Sequence, residues 1–262
     1  MLAGQRLEAL LELLQESGVG RIAELAERLG VSTMTIRRDL NKLEAQGQVR
    51  RIFGGAVLER IVTREPSLEA RELVREREKM AIGAAAAQLI NEGDIVILDA
   101  GSSTLCLAKH LHGSKGLTIV THSLPVMWEL ADESNISVVA LGGELNHQQK
   151  YFHGPLAEYG LRQMRIDKVF LGIHGVHAQH GLSEITFTDI PLKRLFMRIS
   201  RETIVLADSS KIGLASFFRL CPVSEVDVVV TDARADPDEL ARLQQVGVQV
   251  IVAEVPINQY GR

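Results

Sequence analysis

The sequence predicts a two-domain α/β chain: an N-terminal winged helix-turn-helix, then a Rossmann-like sheet of mostly parallel strands. Three observations carry that prediction. Gly30 separates two short amphipathic helical patterns, and the second of them is basic on its outer side. The pair Gly54-Gly55 lies between two short apolar runs, which is a hairpin signal. Later in the chain, short apolar runs alternate with amphipathic stretches, as strands do when helices connect them.

The N-terminal elements follow from spacing. Residues 6–15 put Leu7, Leu10, Leu11 and Leu14 on one side of a first helix, with Gly18 and Gly20 after it. Residues 22–29 turn Ile22, Leu25, Ala26 and Leu29 inward, and Gly30 ends this second helix in a tight turn. Ser32 suits the N-cap of a third helix over 33–43, because its side-chain oxygen can accept from a free first-turn amide. Ile36, Leu40 and Leu43 form the core stripe of that helix. Thr33, Met34, Arg38, Asn41 and Lys42 then look outward, flanked by Thr35 and Arg37. A major groove accepts such a face: Arg pairs bidentately with guanine, while Lys and Thr hold phosphates. An ordinary helix with a solvated basic face is the alternative, and the neighbouring helices and hairpin count against it. In the hairpin, Arg50 and Arg51 stand where a wing meets the DNA backbone.

Composition bounds the rest. The 262 residues suffice for two domains, and 46% hydrophobic with 24% charged describes a globular chain with a sizeable core. No uncharged apolar run of about eighteen residues appears, so no membrane span is expected. The N-terminus lacks a signal-peptide layout, and Cys106 and Cys221 are too few and too distant for a disulfide framework; a cytoplasmic location is expected. The formal charge is −4, yet residues 31–58 hold five basic side chains against Asp39 and Glu44. Local charge governs DNA affinity, and a patch this modest implies dimerisation, because two half-sites double the phosphate contacts.

The expected domains are 1–58 for DNA binding, 59–75 as linker, and 76–262 for effector sensing and oligomerisation. The linker is charge-dense and interrupted by Pro66, with a helix beginning near Ser67. Candidate strands are 95–98, 117–120, 137–141, 168–171, 203–207, 226–231 and 248–253. Helices fit 68–91, 104–112, 124–132, 155–164, 190–201 and 237–245, and Met127 and Trp128 are expected to pack onto the sheet.

In such a sheet ligands gather at the carboxyl ends of the strands. Asp99-Ala100-Gly101-Ser102-Ser103-Thr104 follows a strand and opens a helix, so amides and hydroxyls converge as an anion site, phosphate above all. A plain capped turn is the alternative. The loop lacks a P-loop's Gly-Lys-Ser/Thr, and no Gly-x-Gly-x-x-Gly follows a strand, so neither a nucleoside triphosphate nor a dinucleotide is expected. Thr121-His122-Ser123, Gly142-Gly143 and Asp208-Ser209-Ser210-Lys211 end further strands. Lys211 supplies a cation for a phosphate, and Lys193 and Asp189 a cation and a carboxylate for a sugar.

On these residues the chain resembles the DeoR family of bacterial transcriptional regulators. Val31-Ser32, Met34-Thr35-Ile36-Arg37-Arg38-Asp39-Leu40, Leu43, Gly47 and Gly54-Gly55-Ala56 match its reader head. Asp99–Thr104, 120–123, Gly142-Gly143, Gly154, Phe170-Leu171-Gly172, Gly175, Gly181-Leu182, Lys193, 208–213 and Thr231-Asp232 match its sensor domain, which is related to sugar-phosphate isomerases. The resemblance implies a repressor, a homo-oligomer (dimer or tetramer), that leaves operator DNA on binding a phosphorylated sugar or related intermediate. It implies no cofactor. Phe53 stands where the family has His, His122 where it more often has Asn, and His174 where a small or acidic residue is usual. The stretch 186–193 varies among relatives and is a candidate for sugar selection.

The alternative from another class is a DNA-tethered isomerase, with Asp99, Glu144, Glu184, Asp189 and His122 available for proton transfer. His147, His153, His174, His177 and His180 read as scattered loop histidines and not as a metal site.

Overall fold

Leucine spacing builds the first helices, and the computed structural model describes them within residues 3–17, 19–45, 49–52, 55–58 and 66–255. The chain divides into two units, Met1–Arg64 and Glu65–Arg262. Gly18, Gly47, Phe53, Gly54 and linker residues 59–65 lie outside the described residues.

In the first unit, α1 (Ala3–Ser17), α2 (Ile22–Leu29) and α3 (Thr33–Ala45) enclose Leu10, Leu14, Ile22, Leu25, Ile36, Leu40 and Leu43. Gly30 sits at φ 63°, ψ 35°, where its amide caps α2 on Ala26 O and Glu27 O. Ser32 Oγ accepts from the Thr35 amide at 3.2 Å, the expected N-cap of α3. β2 (Val49–Ile52) and β3 (Gly55–Leu58) pair antiparallel as the wing. A third strand escapes the pattern reading. β1 (Val19–Arg21) is three residues long, too short for periodicity to register, and pairs with β3.

The second unit begins with α4 (Leu68–Leu73) and α5 (Glu76–Ala87). One continuous helix over 68–91 was expected, but the helix breaks where Val74 is extended and Arg75 takes φ 54°. Residues 66–75 therefore hold a packed helix, with Leu68 2% exposed, and belong to the second unit instead of a linker. Then follow β4 (Ile95–Leu98), α6 (Ser102–Lys109), β5 (Leu117–Thr121), α7 (Leu124–Glu129) and β6 (Ile136–Ala140). A hairpin of β7 (Glu144–Asn146) and β8 (Tyr151–His153) leads to α8 (Pro155–Leu161) and β9 (Ile166–Gly172). Next come β10 (Gly175–His177), β11 (Gly181–Glu184), α9 (Ile190–Ile199), β12 (Ser200–Leu206) and β13 (Phe218–Cys221). β14 (Val228–Asp232), α10 (Pro237–Gln245) and β15 (Gln249–Ala253) complete the unit.

Seven strands form one parallel sheet in the order β15-β14-β12-β9-β4-β5-β6. All seven match candidate runs read from the sequence, with ends shifted by up to three residues. Side chains alternate between two cores: Val96, Leu98, Phe170 and Val230 face α5, α6 and α7, while Ile97, Val169, Leu171 and Val229 face the side of α8 and α9. β10, β11 and β13 make a separate antiparallel sheet that the sequence reading did not anticipate. Trp128 corrects an expectation. It is 83% exposed, because α7 buries Val126 and Leu130 one turn apart and position 128 falls on the opposite side. Among the described residues, no helix is long and apolar enough to cross a membrane.

Candidate functional site

The outward face of α3 is as open as its spacing predicts. Thr33, Arg37, Arg38, Asn41 and Lys42 are exposed, and Met34 is 73% exposed despite being apolar. Thr35 differs: it is half-buried, and its hydroxyl meets Ser32 Oγ at 2.9 Å. Asp39 points the other way, fully buried, and Arg6 of α1 grips it through Nε at 2.6 Å and Nη2 at 3.3 Å. That paired contact locks α3 against α1, so the basic face is held by the helix behind it. Arg50 and Arg51 lie on β2, opposite Val57 and Ala56 of β3.

In the second unit, β4 sends the chain to β5 and β6 on one side, and the chain then returns to β9 on the other. The point where strand order reverses is the crevice in which open α/β sheets bind ligands. Asp99 stands there, completely buried. Its Oδ2 accepts from the Gly172 amide at 3.0 Å, and its Oδ1 lies 3.1 Å from His122 Nε2. Lys193, from α9, enters the same crevice: its Nζ donates to Gly172 O at 2.6 Å and Glu184 Oε1 at 2.5 Å, and lies 3.1 Å from Asp99 Oδ2. Glu184 Oε2 in turn meets His174 Nδ1 at 2.5 Å. The five groups form one buried charged network.

Burial alone would raise both carboxyls. Lys193 outweighs it, with His122 beside Asp99 and His174 beside Glu184, and both acids sit below the usual carboxylate range. Burial would likewise lower the Lys193 ammonium, but Asp99 and Glu184 overcome it and hold the group above the ordinary lysine value. His122 Nδ1 donates to Phe152 O at 2.9 Å, since a carbonyl only accepts. Its Nε2 lies 3.1 Å from the Ala100 amide as well as from Asp99; a neutral ring accepts from the amide, and a protonated ring donates to the carboxylate.

Beside this network, α6 opens at Gly101. That residue has no side chain to cap the helix, so the first-turn amides are left without a side-chain acceptor. Ser102 is buried, Ser103 half-buried, and the Thr104 hydroxyl donates to Gly101 O at 3.0 Å. Other predicted residues are occupied with structure. The Thr121 hydroxyl donates to Leu98 O at 2.7 Å, and Ser123 caps α7. Gly142 and Gly143 are exposed ahead of β7, and a Cβ on Gly143 would stand 2.2 Å from His153 O. The hairpin, and no ligand, accounts for that glycine. Asp189 accepts from Thr186 Oγ1 at 2.6 Å and from the Tyr151 hydroxyl, and the Tyr151 ring lies 5.1 Å from His122. Asp189 thereby joins the network through Tyr151.

Lys211 is half-buried, and its charge helps lower the pKa of Lys79, although burial is the main cause there. Lys79 donates to the carbonyls of Arg71 and Val74, and Arg75 Nη1 reaches Ser209 Oγ at 2.8 Å. The end of β12 thus gathers Arg75, Lys79 and Lys211. Sequence reasoning missed Tyr151, Arg75 and Lys79, because the strand-end rule that located the loops does not point to a helix junction or a hairpin. From the sequence, Glu184 stands out only as a proton-transfer candidate.

Comparison with known proteins agrees with both units. Residues 6–61 match the DeoR-like helix-turn-helix domain, and 74–233 match the DeoR C terminal sensor domain. The chain is 35% identical to the uncharacterized HTH-type transcriptional regulator YgbI of Escherichia coli (strain K12), over 88% of this chain and 91% of that one. It is 33% identical to the HTH-type transcriptional repressor GlcR of Bacillus subtilis (strain 168), over 95% and 96%. A solved structure of ribose 5-phosphate isomerase a from Methanocaldococcus jannaschii matches 51% of this chain and 52% of its own, at 16% identity and a TM-score of 0.38, too loose a likeness to bear on function.

Proposed function

The chain belongs to the DeoR family and is a DNA-binding transcriptional regulator; on that premise we propose that it represses a carbohydrate-metabolism operon and leaves the operator when a phosphorylated sugar binds its second unit. One observation carries the effector class: an uncapped helix N-terminus stands beside a buried network of carboxylates, histidines and a lysine at the reversal of strand order. Free first-turn amides of α6, with the Ser102 and Ser103 hydroxyls, suit a phosphate. Asp189 offers an acceptor for sugar hydroxyls, and a ligand reaching Asp99, His122 or Lys193 would do so by exchanging one of the contacts they make with one another, with Thr121, Ser123, Gly142 and Gly143 as their scaffold. Lys211 adds positive charge at the neighbouring strand end.

The same electrostatics count against Asp99 and Glu184 as catalytic bases. Proton abstraction is favoured by a base with a pKa near the working pH, and Lys193 holds both below the usual carboxylate range. As a sensor the chain should leave ribose-5-phosphate and glucosamine-6-phosphate unconverted, and turnover of either would restore the isomerase reading. In a homo-oligomer, ligand binding would favour a different spacing of two reader heads, and affinity falls when the heads no longer match their half-sites.

The test is fluorescence anisotropy on the DNA flanking the protein's own gene, titrated with a panel of sugar phosphates. Tight, salt-sensitive binding reversed by one compound supports the reading and names the effector. Binding that no sugar phosphate relieves discards the effector class. Ser103→Glu, which sets a carboxylate in the phosphate cradle, should bind DNA normally and no longer respond.

A further inference from the structure

A second concave site lies away from the strand-end crevice. Its volume is about 630 Å³, and Arg194 and Arg198 of α9 line it with Arg219 of β13, Met197, Pro222 and Glu225. Arg194 and Arg198 are one helical turn apart, so their side chains rise from neighbouring points on one face. Arg194 is anchored: its Nε donates to Leu220 O at 2.8 Å, which ties the helix to β13.

The charge here is uncompensated. Elsewhere in the second unit, Arg162, Arg201, Arg234 and Arg242 each pair with a carboxylate. Among the described residues, Arg194, Arg198 and Arg219 form no ion pair, and Glu225 is the one acid in the lining against three guanidiniums. Like charges gathered at a concavity repel one another and attract an anion, and guanidinium forks match phosphate oxygens bidentately. The volume lies within the range of small-molecule sites, and Met197 and Pro222 add apolar wall for the rest of a ligand.

We propose that this groove binds a small phosphorylated metabolite as a second anion site, separate from the cradle at α6. Its separateness follows from α9. Lys193 leaves that helix toward Asp99 and Glu184, while Arg194, the next residue, leaves it toward β13. The proposal goes beyond the effector reading and does not depend on it.

Inorganic pyrophosphate is the probe, titrated calorimetrically into the full-length protein at constant chloride and without divalent metal. The wild type should show two binding events per chain, Ser103→Glu one, and R198E/R219E the other. Thermal unfolding and DNA binding establish that each variant is folded, and both arginines in the double variant are exposed. In the Ser103→Glu background, adding R198E/R219E should weaken the remaining event at least about tenfold. The groove is refuted if that event survives unchanged, if Ser103→Glu abolishes all binding, or if the wild type binds nothing below roughly 1 mM. If Ser103→Glu keeps both events and R198E/R219E loses one, the groove stands and the phosphate cradle at α6 fails.

Discussion

Lys193 carries three N–H donors, and Gly172 O, Glu184 Oε1 and Asp99 Oδ2 surround them. Removing the cation would leave two buried carboxylates with only His122, His174 and the Gly172 amide against them, so Lys193→Met should cost about 3–5 kcal/mol at neutral pH, read by denaturant unfolding. The pH dependence gives a sharper test. Acids held low in the folded chain contribute stability above their unfolded pKa and lose it as pH falls through the folded value. The raised ammonium contributes below its unfolded value and loses that only in strong alkali. The wild type should therefore keep this contribution from roughly pH 5 upward and lose it in acid. Without Lys193 both carboxyls lose their main opposing charge and rise from their wild-type position, so Lys193→Met should lose less stability on acidification than the wild type does. An acid limb of unfolding unchanged from the wild type would reject the account. On the DNA face, Arg38→Ala should weaken operator binding by about 1–3 kcal/mol in anisotropy titrations and leave sugar-phosphate binding unchanged.

At the scale of elements, α5 and α6 touch backbone to backbone. A Cβ on Gly83 would stand 2.7 Å from the Cys106 carbonyl carbon and 2.8 Å from its oxygen, so neither helix can yield cheaply. Gly83→Ala should destabilise the second unit by about 1–3 kcal/mol despite alanine's better helix propensity. The start of α6 would shift with the helix, so sugar-phosphate response should weaken in parallel, whereas a surface Ala substitution would move neither. The α2–α3 turn behaves differently. Gly30 has open space around its missing Cβ but φ 63°, so a substitution there meets backbone strain and not a clash.

At the scale of the molecule, one reader head can neutralise few phosphates, so the proposed repressor is expected to act as a dimer whose two heads bind together. Every phosphate that a head no longer neutralises lowers the slope of log K against log salt by about 0.9. Arg50→Ala with Arg51→Ala, present in both heads of a dimer, should flatten that slope by roughly 3 to 4 and weaken all DNA sequences alike. An unchanged slope would remove the wing from the interface.

Reader head and parallel sheet were legible because their signals are local. Periodicity reports the buried stripes of α2 and α3, apolar runs report strands covered on both faces, and Gly30 and Ser32 mark a turn and a cap through their own chemistry. The strand-end loops were legible for the same reason. What those loops do together was not: Lys193, nine residues from Glu184 but ninety-four from Asp99, meets both only because β4, β11 and α9 converge. Neighbours in sequence also part company, as when Trp128 faces solvent between buried Val126 and Leu130. By itself the sequence determined the helices of the reader head and the strands of the parallel sheet, where charge concentrates, and which loops are polar. Tertiary structure alone decided which charges neutralise one another and which stay open to a ligand, because electrostatic pairing depends on distances that folding sets between segments remote in the chain.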